Sequence, residues 1–200
     1  AGRLTNIGVL AIQGDFEEHL GLLKMLDTEA REVRLPGELD GLDGLIIPGG
    51  ESTTQARLMD LYGLREPLKE RVRDGMAVWG TCAGLIMLAQ RLEEDRPEPL
   101  GLMDLDAQRN GYGRQVDSFV VDLSVSVLGA PDFHAVFIRA PKVQRVGDDV
   151  TVLASIDGNG PVAAQQGNML VTAFHPELTQ DTRFHSHFLR MSARAEQEKR

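Results

Sequence analysis

Through the first half of this 200-residue chain, short runs that are apolar on both faces alternate with residues at helical spacing. Ile7-Gly8-Val9-Leu10-Ala11-Ile12 is too short for a helix and shows no polar alternation, the pattern of a parallel strand buried on both sides. It stops at Gln13-Gly14. Asp15 and Glu18 then have capping-box spacing, and Phe16, Leu20, Leu23 and Leu26 recur down one helical face. The unit repeats. Val33-Arg34-Leu35 reads as a short strand, and Leu42 to Ile47 as another, ended by Pro48-Gly49-Gly50 with Ser52 or Thr53 capping the next helix. Leu64 to Arg73 reads as helix, Met76 to Gly80 as a buried strand and Leu85 to Leu92 as helix again. Such alternation implies an α/β fold whose site lies beyond the carboxyl ends of the parallel strands.

Arg96-Pro97-Glu98-Pro99 interrupts the pattern, and the segment Gln108 to Gln115 is polar and contains glycine. Strand-like runs dominate afterwards: Phe119 to Leu123, Ala135 to Ile138, Val150 to Ala154, Val162 to Ala164 and Met169 to Phe174, several of them antiparallel. A last helix begins near Thr182, with Phe184, Phe188 and Met191 on one face, and passes into the charged tail Arg194 to Arg200. Without an internal repeat or a low-complexity linker, residues 1–200 are expected to form one domain.

Thirty acidic against twenty-one basic residues give a formal charge of −9, a field that repels nucleic acid and anionic membranes. No apolar run reaches membrane length and Ala1-Gly2-Arg3 lacks a signal-peptide pattern, so the chain reads as cytoplasmic. A single cysteine, Cys82, excludes an intramolecular disulfide and a cysteine-rich zinc cage.

Cys82 stands in Gly80-Thr81-Cys82-Ala83-Gly84, between an expected buried strand and an expected helix. Small residues on both sides permit the tight bend of a nucleophile elbow, and the helix start favours thiolate. The plainer alternative is a buried small hydrophobe. A nucleophilic thiol needs a base and the base an orienting group; His175-Pro176-Glu177 supplies both if the segment stays extended, because residues two apart then share a side. Alone, the tripeptide would read as a surface turn. Pro48-Gly49-Gly50-Glu51-Ser52 has the glycines that bring backbone N–H groups close to a ligand, as an oxyanion hole requires, although a connecting turn looks the same. No Lys-Ser/Thr follows it, which argues against a phosphate loop. Arg109 and Arg139 are candidates to clamp a carboxylate, with solvated loop arginine as the competing account. His185 and His187 are two apart on a helix, and His19 and His134 have no evident companion, so no metal site is expected.

These motifs resemble the class I (triad) glutamine amidotransferase family. Gly80 to Gly84 and the HPE segment mark the broad family. Ile7 to Phe16, Pro48 to Thr53 and Arg109 to Gln115 resemble more narrowly the glutaminase subunits of pyridoxal 5'-phosphate synthases, and Phe137 to Pro141 and Phe174 to Thr179 fit the same resemblance. The resemblance implies a three-layer α/β/α, flavodoxin-like fold with a mixed, mostly parallel sheet. It also implies hydrolysis of L-glutamine, without a cofactor, to glutamate and ammonia that passes to a separate synthase subunit of a large hetero-oligomer. Carried over, Cys82 is the nucleophile, His175 the acid/base and Glu177 its orienter. Gly50, Glu51, Ser52, Arg109, Ile138 and Arg139 match glutamine-binding positions, the N–H groups of Gly50 and Ala83 an oxyanion hole, and Gln13 a position near the synthase. Two other readings stay open: the glutaminase of another pathway, and a non-catalytic scaffold of the same fold.

Overall fold

A computed structural model describes residues 3–112 and 117–198, so Gly113 to Gln115 of the arginine-rich block lie outside the described residues, as do both ends of the chain. The strands that the apolar runs predict are β1 (Asn6–Leu10), β2 (Glu29–Val33), β3 (Gly44–Ile47) and β4 (Ala77–Thr81). The helices between them are α1 (Phe16–Lys24), α2 (Ser52–Leu61) and α3 (Arg65–Arg73). α4 (Ala83–Leu88) leads into β5 (Ala89–Leu92), β6 (Met103–Gln108), β7 (Ser118–Leu123), β8 (Phe133–Ile138) and β9 (Lys142–Val146). β10 (Thr151–Ile156), β11 (Gly160–Gln166), β12 (Met169–Thr172) and α5 (Arg183–Glu198) complete the order.

Seven strands form the central sheet in the order β10-β11-β12-β4-β3-β1-β2. Five run parallel from β12 to β2, and β10 and β11 close one edge antiparallel. β3 and β4 are buried at every residue, as a run apolar on both faces requires. α1 meets α5 on one side of the sheet, through His19 and His185, and α2 packs with α4, which gives the mixed α/β architecture its helical layers. Trp79 of β4 lies fully buried against Phe184 and Phe188 of α5, the apolar face that helical spacing indicates.

Four local expectations need correction. The second strand is Glu29–Val33 rather than Val33 to Leu35; it is an edge strand, and edges tolerate the charges of Glu29, Arg31 and Glu32. The helix expected over Leu85 to Leu92 ends at Leu88, because the chain turns at Ala89 (ψ 153°) to pair with β6 in a separate three-stranded sheet. Asp15 occupies the N-cap position of α1, but its side chain makes no capping bond. The cap of α2 is Glu51 rather than Ser52 or Thr53, accepting from the Thr53 and Thr54 N–H groups.

Candidate active site

Carboxyl ends of β1, β3, β4 and β12 converge on one spot. There the chain leaves β4 through Cys82, whose backbone sits at φ 53°, ψ −104°, a conformation that costs a non-glycine residue about 1–3 kcal/mol. A Cβ on Gly80 would lie 2.3 Å from the Gly84 carbonyl oxygen, and one on Gly84 would lie 2.1 Å from the Ile47 carbonyl oxygen. Only glycine lets these backbones approach so closely. The Cys82 N–H donates to the Thr172 carbonyl at 2.9 Å, its carbonyl accepts from the Leu85 N–H at 3.0 Å, and its Sγ lies 3.7 Å from the Ile138 carbonyl.

His175 follows β12 and is anchored by its N–H donating to the Val136 carbonyl at 2.8 Å. Its Nδ1 is 2.5 Å from Glu177 Oε1, and both side chains are buried. The segment is not extended, as the sequence pattern suggested. Pro176 to Leu178 form a 3₁₀ turn, closed by the Leu178 N–H on the His175 carbonyl at 3.2 Å, and the turn brings Glu177 back under the imidazole. His175 Nε2 is buried and has no hydrogen bond of its own among the described residues. Gly49 lies beside His175 and Cys82: a Cβ there would stand 2.5 Å from His175 Cε1 and 3.4 Å from Cys82 Cβ.

Burial opposes a charge on His175, but interactions with Asp15, Cys82 and Glu177 outweigh it and push its pKa up to about 12. Burial also raises the Glu177 carboxyl, against the pull of the His175 hydrogen bond and charge. Asp15 is a second carboxylate at this place, with Oδ2 3.4 Å from His175 Nδ1, which explains why it does not cap α1. Asp15, His175 and Glu177 bring ligand-type atoms within 4.8 Å of one another. The 2.5 Å contact within that group is a hydrogen bond, shorter than the edge of about 3.3 Å between two ligands of one tetrahedral ion.

In front of Cys82 opens a cavity of about 710 Å³. Gln13, Gly50, Glu51, Ser52, Cys82, Ala83, Arg109 and Arg139 line it, so eight of the residues singled out in the sequence meet there. His175 and Glu177 lie behind its wall, and Ile138 contributes its carbonyl toward Cys82 rather than its half-exposed side chain. The sequence did not single out Ile86, Glu94, Asn110 and Asp117, which also line the cavity. The Glu94 carboxylate accepts the Arg109 N–H at 2.7 and 2.9 Å, and the Arg139 N–H donates to the Asp117 carbonyl at 2.7 Å.

Gln13 and Asp15 clasp the glycine loop: Gln13 Oε1 accepts the Glu51 N–H at 2.8 Å, and the Asp15 N–H donates to the Gly49 carbonyl at 2.9 Å. The Glu51 carboxylate is committed to Thr53 and Thr54, whose hydrogen bonds outweigh burial and lower its pKa to about 2; it also accepts from Arg109 at 3.1 Å. Glu51→Ala is therefore expected to cost about 0.5–2 kcal/mol as a lost helix cap. At about 2–4 °C per kcal/mol for a chain of this size, a thermal melt reads that loss directly.

Two histidines set aside in the sequence do have companions. His19 Nδ1 is 2.9 Å from His185 Nε2, and His19 Nε2 is 3.5 Å from Glu177 Oε2. His134, on the surface, faces Asp122 at 2.9 Å.

A mostly parallel sheet thus brings a strained cysteine elbow, a buried His-Glu pair and a glycine loop together at one cavity. A solved structure described as a glutamine amidotransferase superposes with a TM-score of 0.88 at 48% identity, covering 94% of this chain and 98% of that one. The PurLQS structure from Thermotoga maritima shares the fold, with a TM-score of 0.66 at 15% identity, covering 96% of this chain and 97% of that one. The model of the SNO glutamine amidotransferase family matches residues 9–194, and the chain belongs to that family. It is 52% identical over 187 residues to the pyridoxal 5'-phosphate synthase subunit PdxT of Roseiflexus castenholzii, covering 92% of this chain and 99% of the relative. With the subunit of the same name from Herpetosiphon aurantiacus it shares 54% over 186 residues, covering 92% and 98%.

Proposed function

We propose that this chain, acting as a single glutaminase domain over residues 1–200, hydrolyses L-glutamine to glutamate and ammonia and passes the ammonia to a pyridoxal 5'-phosphate synthase subunit. The observation that carries the chemistry is the strained Cys82 elbow beside His175, whose other nitrogen is held by Glu177 at 2.5 Å. The relatives, which are subunits of that synthase by name, support the choice of acceptor. A free thiol as reacting group suits the reducing cytoplasm, where we place the reaction.

In this reading the Cys82 thiolate attacks the carboxamide carbon of glutamine. Electrons move onto the carbonyl oxygen, which the Gly50 and Ala83 N–H groups face in the tetrahedral state. His175, protonated by the environment described above, gives its proton to the departing ammonia, leaving a glutamyl thioester on Cys82. Neutral His175 then takes a proton from water, whose oxygen attacks the thioester; glutamate leaves and the thiolate-imidazolium pair returns. Glu177 holds the Nδ1–H throughout and fixes the tautomer. The cavity carries guanidinium groups of Arg109 and Arg139 together with carboxylates of Glu94 and Asp117, charges of both signs that suit the zwitterionic end of an amino acid.

Arg109→Ala tests the substrate assignment. Loss of a charged contact worth about 1.5–3 kcal/mol is expected to raise KM for glutamine roughly ten- to a hundredfold while kcat changes less. Steady-state ammonia release with the synthase present measures both, and an unchanged KM would remove Arg109 from the binding site.

A further inference from the structure

Behind Glu177 lies a set of buried polar groups that the reaction above does not use. Glu177 Oε1 is engaged by His175, whereas Oε2 is enclosed without a hydrogen-bond partner among the described residues, its neighbour being His19 Nε2 at 3.5 Å. That nitrogen also lies 3.4 Å from the hydroxyl of Thr81, the residue before the nucleophile. On its other side, His19 Nδ1 meets His185 Nε2 at 2.9 Å, and His185 Nδ1 is buried without a partner among the described residues. Trp79 packs its edge against both rings, with centroids 5.5 and 4.7 Å away, so neither imidazole is free to turn.

The protons of this chain can be placed by elimination. Burial, with His185 and His175 adding to it, holds His19 well below its ordinary pKa; burial lowers His185 to about 3. Both rings are therefore neutral, each with one N–H and one bare nitrogen. A bare His19 Nε2 would set its lone pair against the Glu177 carboxylate oxygen 3.5 Å away, and with one N–H per ring the 2.9 Å bond between the histidines allows a proton on His19 Nε2 only if His185 is the donor. His185 accordingly carries its proton on Nε2 and donates to His19 Nδ1. His19 must then carry its own proton on Nε2, the nitrogen that faces Glu177 Oε2 and Thr81.

We propose that His19 is a positioning residue of the triad: its Nε2–H, set by the hydrogen bond from His185, stands behind the second oxygen of Glu177 and keeps that carboxylate turned toward His175. The proposal rests on the reading of Cys82, His175 and Glu177 as the triad. Without a donor at Oε2 the carboxylate is buried with one oxygen facing only apolar surface, and its grip on the His175 Nδ1–H loosens. No substrate atom is touched, so the effect belongs in turnover rather than in glutamine binding.

The test measures ammonia release by the full chain with its synthase, alongside a thermal melt of each variant. His19→Leu is expected to lower kcat roughly ten- to a hundredfold with KM for glutamine within about twofold of the parent. His19→Gln restores an N–H donor near the Nε2 position and is expected to recover most of that loss. His185→Phe, which frees the His19 tautomer, should fall between them and carries the test if His19→Leu does not fold. The proposal is overturned if His19→Leu or His185→Phe keeps the parental kcat, or if His19→Gln is no better than His19→Leu, which would make His19 mere filling. Cys82→Ala in the same assay separates the two levels: activity retained there sinks the triad reading, whereas an inactive Cys82→Ala beside a fully active His19→Leu sinks only this proposal.

Discussion

Cys82→Ala is expected to abolish ammonia release from glutamine, by about four orders of magnitude or more, in an assay with the synthase present. The size follows from the chemistry: without the thiolate no thioester forms, and direct attack by water retains only what the oxyanion donors and binding contribute. Stability should behave differently. Alanine at φ 53° keeps the backbone cost that cysteine bears, so the substitution leaves the strained elbow in place. Cys82→Gly removes it, and should melt about 2–8 °C above Cys82→Ala while being just as inactive, from about 1–2 kcal/mol of relieved strain. A glycine variant melting no higher would mean that the elbow stores no strain, although its inactivity would still stand.

Gly84→Ala carries the second large effect, on folding. Its new methyl would sit 2.1 Å from the Ile47 carbonyl oxygen, a backbone atom at the end of a fully buried strand. Nothing there rotates out of the way, as a flexible side chain would. Overpacking of this kind typically costs about 1–3 kcal/mol, and the immobility of the neighbour puts the expectation at the upper end or beyond. At about 2–4 °C per kcal/mol the thermal midpoint should fall by roughly 6–12 °C, with activity lost as the elbow is pushed off the sheet. A melt within a degree of the parent would contradict the close approach of α4 to β3.

Much of this arrangement is written locally in the sequence. β1, β3 and β4 are legible because each carries an apolar run on both faces, with polar residues only at the ends (Asn6 and Thr81), and the elbow because its glycines flank the cysteine closely. β5 was not legible. Leu85 to Ala89 is apolar on every side, so periodicity cannot tell where the helix stops, and the pairing that stops it lies with Met103 and beyond. β6 did carry a signal: Met103, Leu105 and Ala107 are buried in strict alternation with Asp104 and Asp106. The two acids masked it, and the Arg145 guanidinium that pairs with both comes from β9, about forty residues away.

The same distinction divides the site. Cys82 and the His175-Glu177 pair stand in short motifs. Asp15 looks like a helix cap because local spacing says so, yet its carboxylate faces a histidine brought over from β12. His19 and His185 are 166 residues apart, and only the packing of α1 beside α5 makes them neighbours. Groups that hold a reacting residue from behind are fixed by the fold rather than by spacing, and a single chain read in order does not reveal them.

In the proposed mechanism glutamine passes through a covalent bond to Cys82. Rapid acid quench of the chain turning over glutamine with its synthase, followed by mass spectrometry of the peptide containing Cys82, tests it most directly. A glutamyl adduct on Cys82 is expected to build up within the first turnover, to decay when glutamine is exhausted and to be missing from Cys82→Ala. Undiminished ammonia release with no adduct on that peptide, or an adduct on another residue, would contradict it.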